Sequence, residues 1–213
     1  MTTENQPTVG IIDYGMGNLT SVQNAFFSIG YTAKILSDPA LIADVSHVVL
    51  PGVGAFRDGM ANLRNRGWVQ AMESMIRSTG KPILGICLGL QLLATRSFEH
   101  GEHEGLGWIE GDVVRLNDCQ RTLRIPHVGW NDVEIVDRQS CYSEGLEKAP
   151  VVYFVHSYHL QPKDLSIVDG WCDYGDRFVA SIASGPVWAV QYHPEKSQKQ
   201  GIQVLRNFLK QRI

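Results

Sequence analysis

Residues 82–94, PILGICLGLQLLA, set the tightest limit on how this chain folds. A run this apolar must be buried, yet Gly85, Cys87 and Gly89 interrupt it as Gly-x-Cys-x-Gly. Two folded states satisfy the pattern. Cys87 can be a small core filler, a common fate of unpaired cysteine. Alternatively, the backbone turns sharply from a strand into a helix and presents the sulfur. The second state needs glycine on both sides of the turn, where side chains would strike neighbouring backbone, and matches the elbow that exposes a serine in Gly-x-Ser-x-Gly sequences. It also sets the thiol at a helix N-terminus, where unpaired N–H groups favour thiolate. The pentapeptide by itself leaves both states open.

The run is too short, at 13 residues, and too interrupted to cross a bilayer. The polar start MTTENQPT has neither the basic nor the apolar region of a signal peptide, and residues 1–8 read as a frayed tail ahead of one domain over residues 9–213. A length of 213 residues fits one domain with a sizeable core. A formal net charge of −3, without blocks of like charge, argues against a nucleic-acid or anionic-membrane surface. Cys87, Cys119, Cys141 and Cys172 form no Cys-x-x-Cys pair, which speaks against a zinc site or disulfide framework and for a reducing, cytosolic chain.

Periodicity supplies the fold class. VGIID, TAKIL, HVVLPG and KPILGIC read as buried strands, and LTSVQNAFFSIG, FRDGMANLRNRGWVQAMESMIRST (broken at Gly67) and LGLQLLATRSF as helices. Their alternation predicts an α/β fold: an open, mostly parallel sheet covered by helices on both faces. From about residue 105 short strands separated by turns take over, predicting added antiparallel strands before a closing helix in GIQVLRNFLKQR.

Two further segments bear on the cysteine. In VQYHPEKS, His193 and Glu195 are two apart, so an extended chain, enforced before Pro194, turns both to one side. A carboxylate there fixes the tautomer of a histidine that serves a cysteine as base. Alone, the pair reads better as a surface histidine beside a solvated glutamate; with the elbow, 106 positions upstream, it completes a nucleophile–base layout. LPGVGAF, residues 50–56, follows a strand and can aim backbone N–H groups at an oxyanion, or be a plain turn. YGMGN lacks the third glycine of a dinucleotide loop, and EHGEHE (99–104) reads as a solvated loop rather than a metal site. His127, His156 and His159 lie among aromatic residues and read as core, not as bases.

GICLGLQLL, VQYHPEKS and LPGVGAF together resemble the class I, triad-type glutamine amidotransferases. IIDYGMGNLTSV, PHVGWN and YFVHSYH are similar to the subgroup of glutaminase subunits of imidazole glycerol phosphate synthase, over residues 9 to the C-terminus. That resemblance implies the following. Cys87 attacks the carboxamide of L-glutamine, His193 moves the proton, and Glu195 holds His193. Amides of Leu88 and of the Val53–Gly54 turn form the oxyanion hole. Gly52, Gln91, Ser157 and Tyr158 bind glutamine, while Asn18, Trp130, Tyr153 and Lys196 face the partner. The implied partner is a cyclase subunit of (β/α)8-barrel fold in a cytoplasmic heterodimer of histidine biosynthesis, with no metal or organic cofactor. Val128 stands where methionine is frequent in the subgroup. Two alternatives stay open: a paralogue feeding ammonia to a sugar-modifying synthase of surface polysaccharide, and a stand-alone cysteine hydrolase.

Overall fold

The computed structural model describes residues 6–117, 123–137 and 139–211; Cys119 falls outside them. Fourteen strands and five α-helices follow one another along these residues. The first half runs β1 (Val9–Ile12), α1 (Leu19–Ser28), β2 (Ala33–Leu36), β3 (His47–Gly52), α2 (Phe56–Asn65), α3 (Trp68–Met72), β4 (Ile83–Cys87) and α4 (Leu88–Leu92). Next come β5 (Ala94–Ser97), β6 (His103–Glu104), β7 (Ile109–Arg115), β8 (His127–Asp132), β9 (Glu134–Ile135), β10 (Val151–His156) and β11 (Tyr158–Pro162). The chain closes with β12 (Val168–Tyr174), β13 (Asp176–Ser184), β14 (Val187–Val190) and α5 (Gln198–Leu209).

The central sheet has the order β2-β1-β3-β4-β14-β13-β12-β9. Its first five strands are parallel and the remaining pairings antiparallel. Period-two alternation sorts its side chains between two cores. Val48, Leu50, Ile83 and Ala189 face α2–α4 and the four-stranded sheet β11-β7-β5-β6. Val49, Leu84, Ile86, Trp188 and Val190 face α1, α5 and the β8–β10 pair. Such strands are apolar on both sides because both faces are covered, and each fully buried Val, Leu or Ile contributes about 1.5–3 kcal/mol.

Three expectations need correction. The helix expected across LGLQLLATRSF ends at Leu92, and Ala94–Ser97 is β5. Its apolar residues served either structure equally well. The choice fell to tertiary pairing: β5 lies parallel to β7, and the carbonyls of Leu92, Leu93 and Ala94 accept N–H groups from Leu106 through Ile109. EHGEHE is not simply a solvated loop. His103–Glu104 pairs with β5 as β6, and Glu99 accepts the N–H of Phe56 at 2.6 Å, satisfying one of the open donors at the start of α2. The end of the expected tail is tied down, since the Thr8 carbonyl accepts the N–H groups of Ser46 and His47, each at 3.0 Å.

Candidate active site

β4 terminates at Cys87, whose φ of 55° and ψ of −108° lie where a residue with a side chain is strained. The flanking glycines are imposed by space. A Cβ on Gly89 would come within 1.9 Å of the Leu50 carbonyl oxygen, and one on Gly85 would press Ala189 and the Gly89 carbonyl at 3.0–3.1 Å. The strand-to-helix elbow is therefore the state adopted. Cys87 packs against the core yet lines a cleft of about 440 Å³ at the C-terminal ends of the parallel strands.

The same strand ends bring in the histidine. β14 lies parallel to β4, with Val190 opposite Ile86, and the chain continues through Gln191 and Tyr192 to His193. His193 is fixed at both backbone groups: its N–H donates to Tyr153 O (2.9 Å), and its carbonyl accepts Ser197 Oγ–H (2.6 Å). Its Nδ1 meets Glu195 Oε1 at 2.8 Å, with both side chains only 2% exposed. His193 itself is extended, as expected before proline, but residues 194–196 form a 3-10 turn. The turn, rather than an extended strand, brings the carboxylate back to the ring. Glu195 holds Nδ1, which leaves Nε2, buried and without a hydrogen-bond partner, to serve the thiol. Burial lowers the His193 pKa, but interaction with Cys87 and Glu195 outweighs it and the net shift is upward.

The cleft wall gathers Val53, Gly54, Leu88, Gln91, Glu99, Ser157, Tyr158 and Lys196. Leu88 opens α4, so its N–H has no partner within the helix. Gly54 has φ 103°. Gly52 lies beneath the wall rather than in it, and any side chain there would meet Tyr14 Oη at 2.4 Å. Gln91 Nε2 donates to Tyr158 O (2.8 Å) and to Gln191 Oε1 (3.1 Å).

The sequence profile described as "Glutamine amidotransferase class-I" matches residues 10–212. The chain belongs to the class I glutamine amidotransferase family. Among its relatives, it is 50% identical over 202 residues to imidazole glycerol phosphate synthase subunit HisH of Syntrophotalea carbinolica, covering 93% of this chain and 97% of that protein. It is 46% identical over 204 residues to the subunit of the same name from Geobacter sulfurreducens, covering 94% and 97%. Among solved structures, "Structure of PurLQS from Thermotoga maritima" matches with a TM-score of 0.75, 18% identity and coverage of 96% and 98%. A crystal structure of a glutamine amidotransferase matches with a TM-score of 0.74, 21% identity and coverage of 95% and 97%. These last two carry the fold alone.

Beside the cleft, this amidotransferase presents an apolar face. β8 and β10 pair antiparallel, with Trp130 opposite Tyr153 and Val128 opposite Val155. On the inward side His127, Val152, Phe154 and His156 are buried, whereas Val128, Trp130 and Val151 are 56%, 47% and 46% exposed. The Trp130 and Tyr153 rings meet edge to face at 5.8 Å, and Lys196 Nζ lies 5.7 Å from the Tyr153 ring centre. Asn18 is exposed and caps α1, its Oδ1 accepting the Ser21 N–H at 3.3 Å.

The buried histidines behave as core groups. His156 Nδ1 donates to Tyr158 O (3.0 Å), so its Nε2 accepts from His127 Nδ1 (3.3 Å). Burial lowers the His156 pKa to about 3 and that of His127 to about 4. Reasoning from sequence missed two groups near the cysteine, Glu99 in the cleft wall and the fully buried Gln191 beneath it. Glu99, on the loop after β5, carries no local signal. Gln191 does: it precedes His193 by two and follows directly on a strand beside the cysteine strand.

Proposed function

We propose that this chain is the glutaminase subunit of imidazole glycerol phosphate synthase, hydrolysing L-glutamine to glutamate and supplying ammonia to a barrel-fold cyclase subunit in histidine biosynthesis. The observation that carries the reading is the strained Cys87 at the cleft, beside a buried His193 that Glu195 holds at 2.8 Å. The HisH-named relatives over nearly the whole chain support this pathway over the polysaccharide and stand-alone alternatives.

In this mechanism His193 takes the Cys87 proton through Nε2, and the sulfur attacks the side-chain carboxamide carbon of glutamine. The oxyanion of the tetrahedral adduct is stabilised by the N–H of Leu88 and by one from the Val53–Gly54 turn. Imidazolium returns the proton to the leaving nitrogen, so ammonia departs and a γ-glutamyl thioester remains. Water, deprotonated by His193, then hydrolyses the thioester to glutamate and regenerates the thiol. Glu195 keeps the ring in one tautomer and balances its transient charge. Gln91, Ser157, Tyr158 and the backbone at Gly52 hold the substrate, and Glu99 supplies the cleft carboxylate for its α-ammonium group. The chain works as one domain in the cytoplasm, in a heterodimer. Asn18, Trp130, Tyr153 and Lys196 face the partner, which the exposed apolar face beside the cleft supports.

Titration with a glutamine-analogue alkylator tests the assignment. One equivalent reacts at Cys87, and Cys87→Ala abolishes hydrolysis while partner binding persists. Hydrolysis by Cys87→Ala would remove Cys87 as the nucleophile.

A further inference from the structure

We propose that Gln191 is a further catalytic residue of this site, donating a hydrogen bond from Nε2 to the Cys87 sulfur and favouring its thiolate. The inference deepens the function proposed above and rests on Cys87 being the nucleophile. Strand register makes the contact possible: Val190 pairs with Ile86, so the next residues along β14 and β4 are Gln191 and Cys87. Gln191 is fully buried, and its Nε2 lies 3.7 Å from Cys87 Sγ, a hydrogen-bonding distance for sulfur.

An amide can in principle turn either end to a neighbour, but here the network dictates the end. Gln91 faces the Tyr158 carbonyl, which only accepts, so its NH2 group lies on that side. The same NH2 also faces the Gln191 amide at 3.1 Å and requires the oxygen there. The nitrogen of Gln191 is left for the sulfur. A fully buried side chain is thus fixed at one end by a cleft-wall residue and at the other touches the reacting atom.

A donor to sulfur favours the charged form. Among the other side chains and carbonyls near Cys87, neither the Val155 carbonyl, His193 nor Tyr14 supplies a comparable hydrogen bond. The Val155 carbonyl, 3.9 Å from Sγ, accepts from the thiol and favours the neutral form. His193, backed by Glu195, changes its own charge with pH. Tyr14 Oη is buried without a hydrogen-bond partner, so its O–H makes no bond to the sulfur. Gln91, Glu99, His156, Ser157, Tyr158 and Lys196 are the polar side chains that line the cleft with Cys87.

The test compares the full chain as wild type, Gln191→Met and Gln191→Asn. Met removes the donor at similar volume, and Asn keeps a buried amide but withdraws it by one methylene. Iodoacetamide alkylation is followed against pH by mass spectrometry of the Cys87 peptide, because the exposed Cys141 reacts as well. Both variants are expected to alkylate on the order of 10-fold more slowly near neutral pH, with the rate–pH curve displaced to higher pH. In the partner complex kcat falls by a similar factor, and KM for glutamine changes by less than about threefold. Adding Gln91→Met to Gln191→Met costs less than the two single losses multiplied, since Gln91 acts on sulfur through Gln191. Rate–pH curves that superimpose in all three proteins, with wild-type Cys87 still labelled by the glutamine analogue, overturn the role of Gln191 alone. Absence of that labelling in the wild type overturns the nucleophile assignment and this inference with it.

Discussion

Cys87 and Gly89 show how a single atom decides a site. The backbone at Cys87 holds a φ of 55°, and the helix that follows passes so close to β3 that Gly89 has no room for a methyl group. The obstacle is a backbone carbonyl within the parallel sheet, which cannot rotate away as a flexible side chain would. Gly89→Ala should therefore destabilise the protein by roughly 1–3 kcal/mol or more, read as a lower urea midpoint, and slow labelling of Cys87 by a glutamine analogue. Gly30 has open space around it, and Gly30→Ala meets only the strain of its φ of 85°. It should cost less and leave labelling unchanged.

At the scale of elements, the β8–β10 pair divides its residues by face. Outward positions form the apolar surface, and inward positions carry His127 and His156 into the core. Both histidines have folded-state pKa values far below the unfolded value of about 6.5. As the pH falls below that value, the unfolded chain binds protons that the folded chain excludes. Their contribution is thus intact above about pH 6.5 and erodes as the pH falls toward 4. The urea midpoint should drop between pH 7 and pH 5. The drop should be smaller in His127→Phe, although that variant loses about 1 kcal/mol at pH 7 because His156 Nε2 forfeits its donor. β5 belongs to the same scale. ATRS has no cap or glycine to stop a helix at Leu92, so its strand was illegible locally and came from pairing with β6 and β7.

For the whole molecule, the exposed face and the cleft share β10: Val155 lines the cleft while Val128 and Trp130 lie open across the pair. A glutaminase that releases ammonia unattended wastes substrate, so activity gated by a partner on this face is expected. The isolated chain should hydrolyse glutamine weakly and the complex strongly. Trp130→Ala should leave the isolated chain within about 1 kcal/mol of wild-type stability while weakening the complex by roughly 30-fold, measured by calorimetric titration. Full turnover by the chain alone would refute the gating. Several features of this arrangement could be read in advance. The two glycines around Cys87, the His-Pro-Glu run and the strand–helix alternation are local patterns whose steric demands hold in any context. The sequence by itself determined the parallel core and offered Cys87 and His193 as a nucleophile–base layout, while leaving the elbow open against a buried cysteine. Only the tertiary structure decided that β14 returns beside β4, that a 3-10 turn carries Glu195 to His193, that Glu99 reaches the cleft and that Gln191 reaches the Cys87 sulfur. Those outcomes depend on strand register and on contacts between residues as many as 104 positions apart, for which no local periodicity exists.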